Sequence, residues 1–475
     1  MRENDLNKTR IISFVKPNYF EICFVLVAII FGIIFSFIWG PGYIYDEAGH
    51  YRNSYILADR IMGKPVDVFS EDYLGVKGMH PVSFSARICD EDFLSNEAQE
   101  EPITLSNSTF FNEESGEVMV ENFVYSYFPF PTYIVDSIGI IIGRVIFNFG
   151  PVTLLYFIRF INLAIYIAVG LLCMRILPSY KEFIFVLFLL PSCLPRGVSA
   201  GHESLYFAYT WFYVFYVISL AFREDKINSR ELCVLFMSSI LIAPIKGIGI
   251  MFVGLVLLIK KKAFSTSRKY YGYLGCIIVM SVVLWIAYNI TSIDISDVIS
   301  NANGIRNIEY SNTEAIYLTD FIYHPLWTIK MLYNTIETQF VALFRKVTDT
   351  ILWESYGDLV AEGFLLLMMI AVPSKEGDEI ILSIKEKIWC FVVLLAEFSL
   401  LCVTTFISWG GSQRTTPPLK PTYLLPYLPF IILLLRGRIF VYVGRYRKLG
   451  IIVGCVSLHI AGILNVWERL LTVGR

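Results

Sequence analysis

The chain has 475 residues, 56% of them hydrophobic and 17% charged, with a mean hydropathy of +0.60. That composition excludes a soluble domain and predicts a polytopic membrane protein. A net charge of −2 excludes the basic footprint of a nucleic-acid binder.

The first apolar run, about residues 20–40, is long enough to span a bilayer and lacks a small-residue cleavage site, so it is expected to be a retained span rather than a signal peptide. Just past it stands the adjacent carboxylate pair Asp46 and Glu47, followed by His50, Tyr51 and Arg52. Ionisable groups at membrane depth are costly and are functional candidates. Two neighbouring carboxylates suit general-base work, one holding geometry while the other takes a proton. The plainer alternative is an N-cap and first-turn acid of the next helix.

The loop 41–131 carries 16 Asp and Glu against 5 Lys and Arg, which places it outside the cell. Residues 131–149 are apolar but are interrupted by Asp136 and Arg144, and are expected to form an interfacial helix on the outer surface. Further apolar runs follow at about 152–174, 182–195, 202–222, 231–244, 246–260, 271–291, 356–373, 387–409, 421–435 and 449–468. Basic clusters before the first span, at Lys260–Lys269 and at Arg436–Lys448, are expected to be cytoplasmic. The fold class is therefore an all-α polytopic membrane protein of about 11 transmembrane helices in a single domain, 1–475, with the N-terminus inside and the C-terminus outside. Two large extracytoplasmic segments result, 41–151 and 292–355. The second mixes Asn301, Asn303, Arg306, Tyr310, His324 and Trp327, which suits a sugar-binding surface or a solvated loop.

The five histidines (His50, His80, His202, His324 and His459) show no metal-ligand spacing, and only Cys89 of nine cysteines lies well inside an outer loop. The aromatics of the fourth span, Tyr206 to Tyr216, suit an isoprenoid groove or ordinary bundle packing, and none is assigned to a site. No internal repeat relates the two halves, and the asymmetry argues against alternating access.

The order of these features resembles the GT-C class of membrane glycosyltransferases. More closely, it is similar to a bacterial family of predicted polytopic membrane proteins with a Pro-Asp-Glu-x-x-His-type motif in the first outer loop. The motif reads Tyr45-Asp46-Glu47-Ala48-Gly49-His50 here. After it come Phe128-Pro-Phe-Pro-Thr-Tyr133, Arg159-Phe-Ile-Asn162, Leu190-Pro191, Ser199-Ala-Gly-His202-Glu203, Ala243-Pro-Ile-Lys246, His324-Pro325, Asn334-Thr335 and Tyr423-Leu-Leu-Pro426. The chain departs from the family where Gln413-Arg414 precedes Thr-Thr-Pro-Pro-Leu-Lys420 instead of forming Gln-Gly-Arg-Tyr, which leaves open which cation takes that arginine's role.

The resemblance implies transfer of a sugar from a polyprenyl-phosphate donor at the outer face of the bacterial inner membrane, with a surface glycan (O-antigen, teichoic acid or wall polysaccharide) as the expected acceptor. Inversion is expected because one displacement with one base needs no covalent intermediate. Asp46 or Glu47 fits the base, with His50 four residues on to orient the acid. Lys246, Arg196, Arg414 and Lys420 map outside as cations for the donor phosphate. Arg52, His202, Glu203 and Tyr423 complete the expected substrate site, and Glu203 suits sugar hydroxyls, a divalent metal shared with Asp46 or Glu47, or a plain helix N-terminus. The expected partners are the lipid-linked sugar donor, the surface glycan acceptor and membrane lipids. A lipid-linked sugar flippase or other transporter, and a glycan polymerase or ligase, are the alternatives.

Overall fold

A computed structural model describes residues 2–38, 47–63, 130–302, 318–340, 350–351, 354–355, 358–372, 382–409, 419, 421–435 and 446–473. Asp46, Arg414 and Lys420 lie outside the described residues, as do the side chains of Arg52, His202 and Glu203, most of the loop 41–131 and part of 292–355.

The described chain is helical apart from one two-residue antiparallel ladder, Thr350–Ile351 with Glu354–Ser355. Six helices contain segments long and apolar enough to cross a membrane: Asn18–Ile38, Val152–Ile176, Leu205–Phe222, Ser267–Ala287, Ile384–Phe406 and Arg447–Asn465. The remaining apolar runs form shorter or interrupted helices. Lys181–Phe188 stops at a turn before Pro191, and Leu194–Val198 takes Pro195 in its first turn. Pro421–Tyr427 is a 3-10 turn leading into Leu428–Leu435.

The site is framed by seven elements: α1 (Arg2–Ile38), α2 (Glu47–Ile61), α3 (Phe130–Val145), α4 (Pro151–Ile176), α5 (Lys181–Phe188), α6 (Leu194–Val198) and α7 (His202–Phe222). Gly150 and Pro151 begin α4, a position that suits proline because its missing N–H would have no helical partner. The helix α3 has 16 residues and packs along α2 instead of joining the six long segments. The two helices run parallel with their starts together, since Ser137 Oγ donates to the Ser54 carbonyl at 2.7 Å and Arg144 pairs with Asp59 at 2.7 Å. Against α4 the same helix is antiparallel and close, and a Cβ on Gly139 or Gly143 would sit 2.6 Å from Ile158 or 2.4 Å from Leu154. These small residues let the two backbones approach.

Next come α8 (Ser229–Ile245) and a twelve-residue 3-10 helix, Gly247–Leu258. A capping box between Asn228 and Glu231 starts α8. Two further helices complete the frame, α9 (Ile384–Trp409) and α10 (Arg447–Val473).

The core is rich in aromatics. Trp211 is fully buried and donates to the Leu425 carbonyl at 2.9 Å, while Tyr209 donates to the Ser238 carbonyl at 2.9 Å. Phe188, Phe207 and Tyr166 pack in edge-on or tilted pairs around them. At one end of the bundle the lysines meet acids: Lys181 with Glu21, Lys448 with Glu182 at 3.5 Å, and Lys260 with Glu386 at 3.2 Å. The carboxylate motif sits at the other end, past the last turn of α1.

Candidate functional site

Glu47 is the first residue of α2, where a negative charge complements the helix dipole. Its role extends beyond that cap. The Arg159 guanidinium engages both carboxylate oxygens, with Nε donating to Oε1 at 2.9 Å and the second nitrogen donating to Oε2. The Ala200 backbone N–H also donates to Oε1, at 3.1 Å. Arg159 reaches further, giving a hydrogen bond to the Ser36 carbonyl in the last turn of α1 at 2.6 Å. Both side chains are fully buried. One fork therefore ties together α1, α2, α4 and the segment leading into α7, and the paired geometry requires arginine rather than lysine.

His50 lies one turn along α2, buried, with Nδ1 2.9 Å from the Tyr133 hydroxyl. Asn53 donates to the same hydroxyl at 3.1 Å. The tyrosine belongs to α3, so the first turns of the two parallel helices meet at this point. Gly201 comes close to His50 from the start of α7, and a Cβ there would lie 3.7 Å from the imidazole. Arg196 is buried in the one-turn helix α6, whose carbonyl accepts from Ser199 Oγ at 2.9 Å.

Lys246 ends α8 and breaks it from the 3-10 helix. Its ammonium sits over two rings, 4.9 Å from Tyr206 and 4.7 Å from Tyr423. Behind them Glu397, fully buried midway along α9, accepts from the Tyr206 hydroxyl at 3.4 Å. The lysine turn is tied to the carboxylate motif through α3, because Thr132 donates to the Ile245 carbonyl at 2.9 Å while its neighbour Tyr133 meets His50.

The structure thus brings Glu47, His50, Arg196, Lys246 and Tyr423 to one end of the bundle. Sequence reading does not assign Arg159, Tyr133, Asp136, Asn162, Tyr206 or Glu397 to the site. A signal existed for three of them, since Asp136, Arg159 and Glu397 are charges set inside apolar runs. Among the described residues no group of three or more His, Cys, Asp or Glu is placed to hold a metal ion. Asp46 and the Glu203 side chain, two of the acids considered for that role, are not among them.

The family described as "Predicted membrane protein (DUF2142)" matches residues 29–431. The chain belongs to that family. The matched stretch of this DUF2142 chain includes the carboxylate motif, Arg159, Lys246 and Tyr423. No curated protein and no solved structure matches it.

Proposed function

We propose that this DUF2142 chain is an inverting glycosyltransferase. It moves a sugar from a polyprenyl-phosphate donor to a cell-surface glycan at the extracytoplasmic face of a bacterial cell membrane. All eleven apolar runs, including the short and broken ones, cross or re-enter the bilayer in this reading, with the N-terminus and the lysine-rich end inside. The observation that carries it is the locked carboxylate of Glu47. Both oxygens of Glu47 are occupied by Arg159 and Ala200, so Glu47 holds the start of α2 in place, and the proton is assigned in this reading to its neighbour Asp46.

The acceptor hydroxyl oxygen attacks the anomeric carbon, and its proton passes to the Asp46 carboxylate. The bond from that carbon to the phosphate oxygen breaks, and polyprenyl phosphate leaves with the electron pair. Lys246, aided by Arg414 and Lys420, stabilises the growing phosphate charge. One displacement with one base inverts the anomeric centre.

Purified protein with donor and acceptor in detergent tests this, because no membrane gradient is available to drive transport. Wild type should form product, which a pure transporter would not. Asp46→Asn should lower turnover by about 10²–10⁴-fold with an unchanged unfolding temperature. Glu47→Gln should lower both turnover and unfolding temperature, since Arg159 loses its charged partner. Near-normal transfer by Asp46→Asn would remove the base assignment.

A further inference from the structure

The helices α2 and α3 carry three described carboxylates, and they are held in different ways. Glu47 is locked by Arg159, and Asp59 is bound by Arg144. Asp136 is 6% exposed and has no ion-pair partner among the described residues. Asn162 stands beside it on the same cavity, its amide nitrogen donating to the Ser199 carbonyl at 2.8 Å.

Asp136 and Asn162 line the polar end of a small cavity between α3, α4, α6 and α7, together with Thr132 and Gly201. Ile165, Val169 and Leu205 form its apolar wall. Tyr166 lines it as well, and the helices around it carry further titratable groups. Glu47, His50 and Tyr51 come from α2, Arg159 and Tyr166 from α4, and Arg196 from α6; the side chains of His202 and Glu203 on α7 are not described. The Tyr51 hydroxyl is buried with no hydrogen-bond partner among the described residues and feels the charges of both Asp136 and Glu47. Burial, and then the nearby Glu47 charge, push the Asp136 carboxyl up to about 7 against the opposing influence of the neighbouring Asn162 amide, so near neutrality much of it keeps its proton.

The geometry points to Asp136 and Asn162 as a hydroxyl-binding subsite for a sugar, next to the carboxylate motif. A carboxyl and an amide facing one cavity offer donors and acceptors together, which is what a hydroxyl requires. The apolar wall suits the C–H face beside it. The cavity is small, so it admits a hydroxyl or hydroxymethyl group and not a whole ring. This rests on the sugar-transfer reading for its biological meaning, but its binding chemistry can be tested without transfer.

The full chain in a sugar-free detergent is assayed in three ways. Octyl glucoside, galactoside, mannoside and N-acetylglucosaminide are titrated against its unfolding temperature. At least one should raise it saturably for wild type, and Asp136→Ala and Asn162→Leu should weaken that binding at least tenfold. Should either variant fail to fold, Asp136→Glu, which keeps the acid but lengthens it, should weaken binding as well. In turnover, the substrate whose KM rises at least tenfold in these variants, with the other KM within about twofold, identifies the sugar as donor or acceptor.

The third measurement isolates the proton. A carboxyl raised on folding favours the folded state at acid pH and loses that contribution as pH rises through about 7. The unfolding temperature of wild type relative to Asp136→Asn should therefore fall between pH 5 and pH 8. No glycoside binding by wild type, or variants that bind and turn over normally, would overturn the subsite. Glycoside binding lost in the variants, with no transfer by wild type, would leave the subsite standing and remove the transferase reading alone.

Discussion

At the scale of single residues, the Glu47–Arg159 fork is the most consequential contact. Removing one member strands a buried charge, at a cost of about 3–5 kcal/mol, whereas replacing both with apolar groups is often tolerated. Arg159→Met should therefore lower the unfolding temperature sharply. The double variant Arg159→Met with Glu47→Leu should recover much of that loss without recovering activity. A double variant no more stable than Arg159→Met would show that the fork contributes more than charge neutralisation. The sequence marks Arg159 as an isolated charge in an apolar run, but nothing local points to a partner 112 positions earlier. Asp46 and Glu47 are legible as candidates for the opposite reason, since their meaning lies in their adjacency. The aromatics of the fourth span needed the structure to be read. Trp211 and Tyr209 give their polar atoms to neighbouring carbonyls, which is packing.

Among elements, α3 is the hub. It touches the carboxylate motif through Tyr133, the lysine turn through Thr132 and the cavity through Asp136. Its 16 described residues reach about 24 Å and pack against both α2 and α4. The parallel pairing with α2 was not legible, because the partners are some 83 residues apart and no periodicity encodes register at that range. The Gly139 and Gly143 spacing is visible in the sequence, but only the structure shows that it faces α4. Gly143→Leu should force α3 away from Leu154 and draw Asp136 from Asn162. The expected result is a lower unfolding temperature and a weakened response to octyl glycosides, while Gly272→Leu, with open space around it, should be neutral in both. Equal effects from the two glycines would remove the packing argument.

Over the whole molecule, the run lengths predict eleven spans, and six described helices are long and apolar enough to cross a membrane. The difference lies in prolines and short runs: a hydropathy window registers apolar content but not whether Pro191 or Pro426 divides it. Orientation is a separate matter, and single-cysteine labelling of intact cells decides it. Positions near Glu100 and Asn312 should react from outside, and positions near Ser265 and Gly437 should be protected. Labelling of Ser265 from outside would invert the bundle and place Lys246 on the cytoplasmic side.

The 3-10 helix Gly247–Leu258 couples length to chemistry. Its bonds run from residue i to i+3, as from the Gly249 N–H to the Lys246 carbonyl at 2.8 Å. At about 2.0 Å per residue twelve residues cover roughly 24 Å, whereas an α-helix of the same count would cover roughly 18 Å. A thin stretch of chain thus reaches as far as a sixteen-residue α-helix. Relaxation into the α form would shorten it by roughly 6 Å and draw the Lys246 ammonium away from the rings of Tyr206 and Tyr423. The length of this segment and the placing of that positive charge are therefore one and the same geometric quantity.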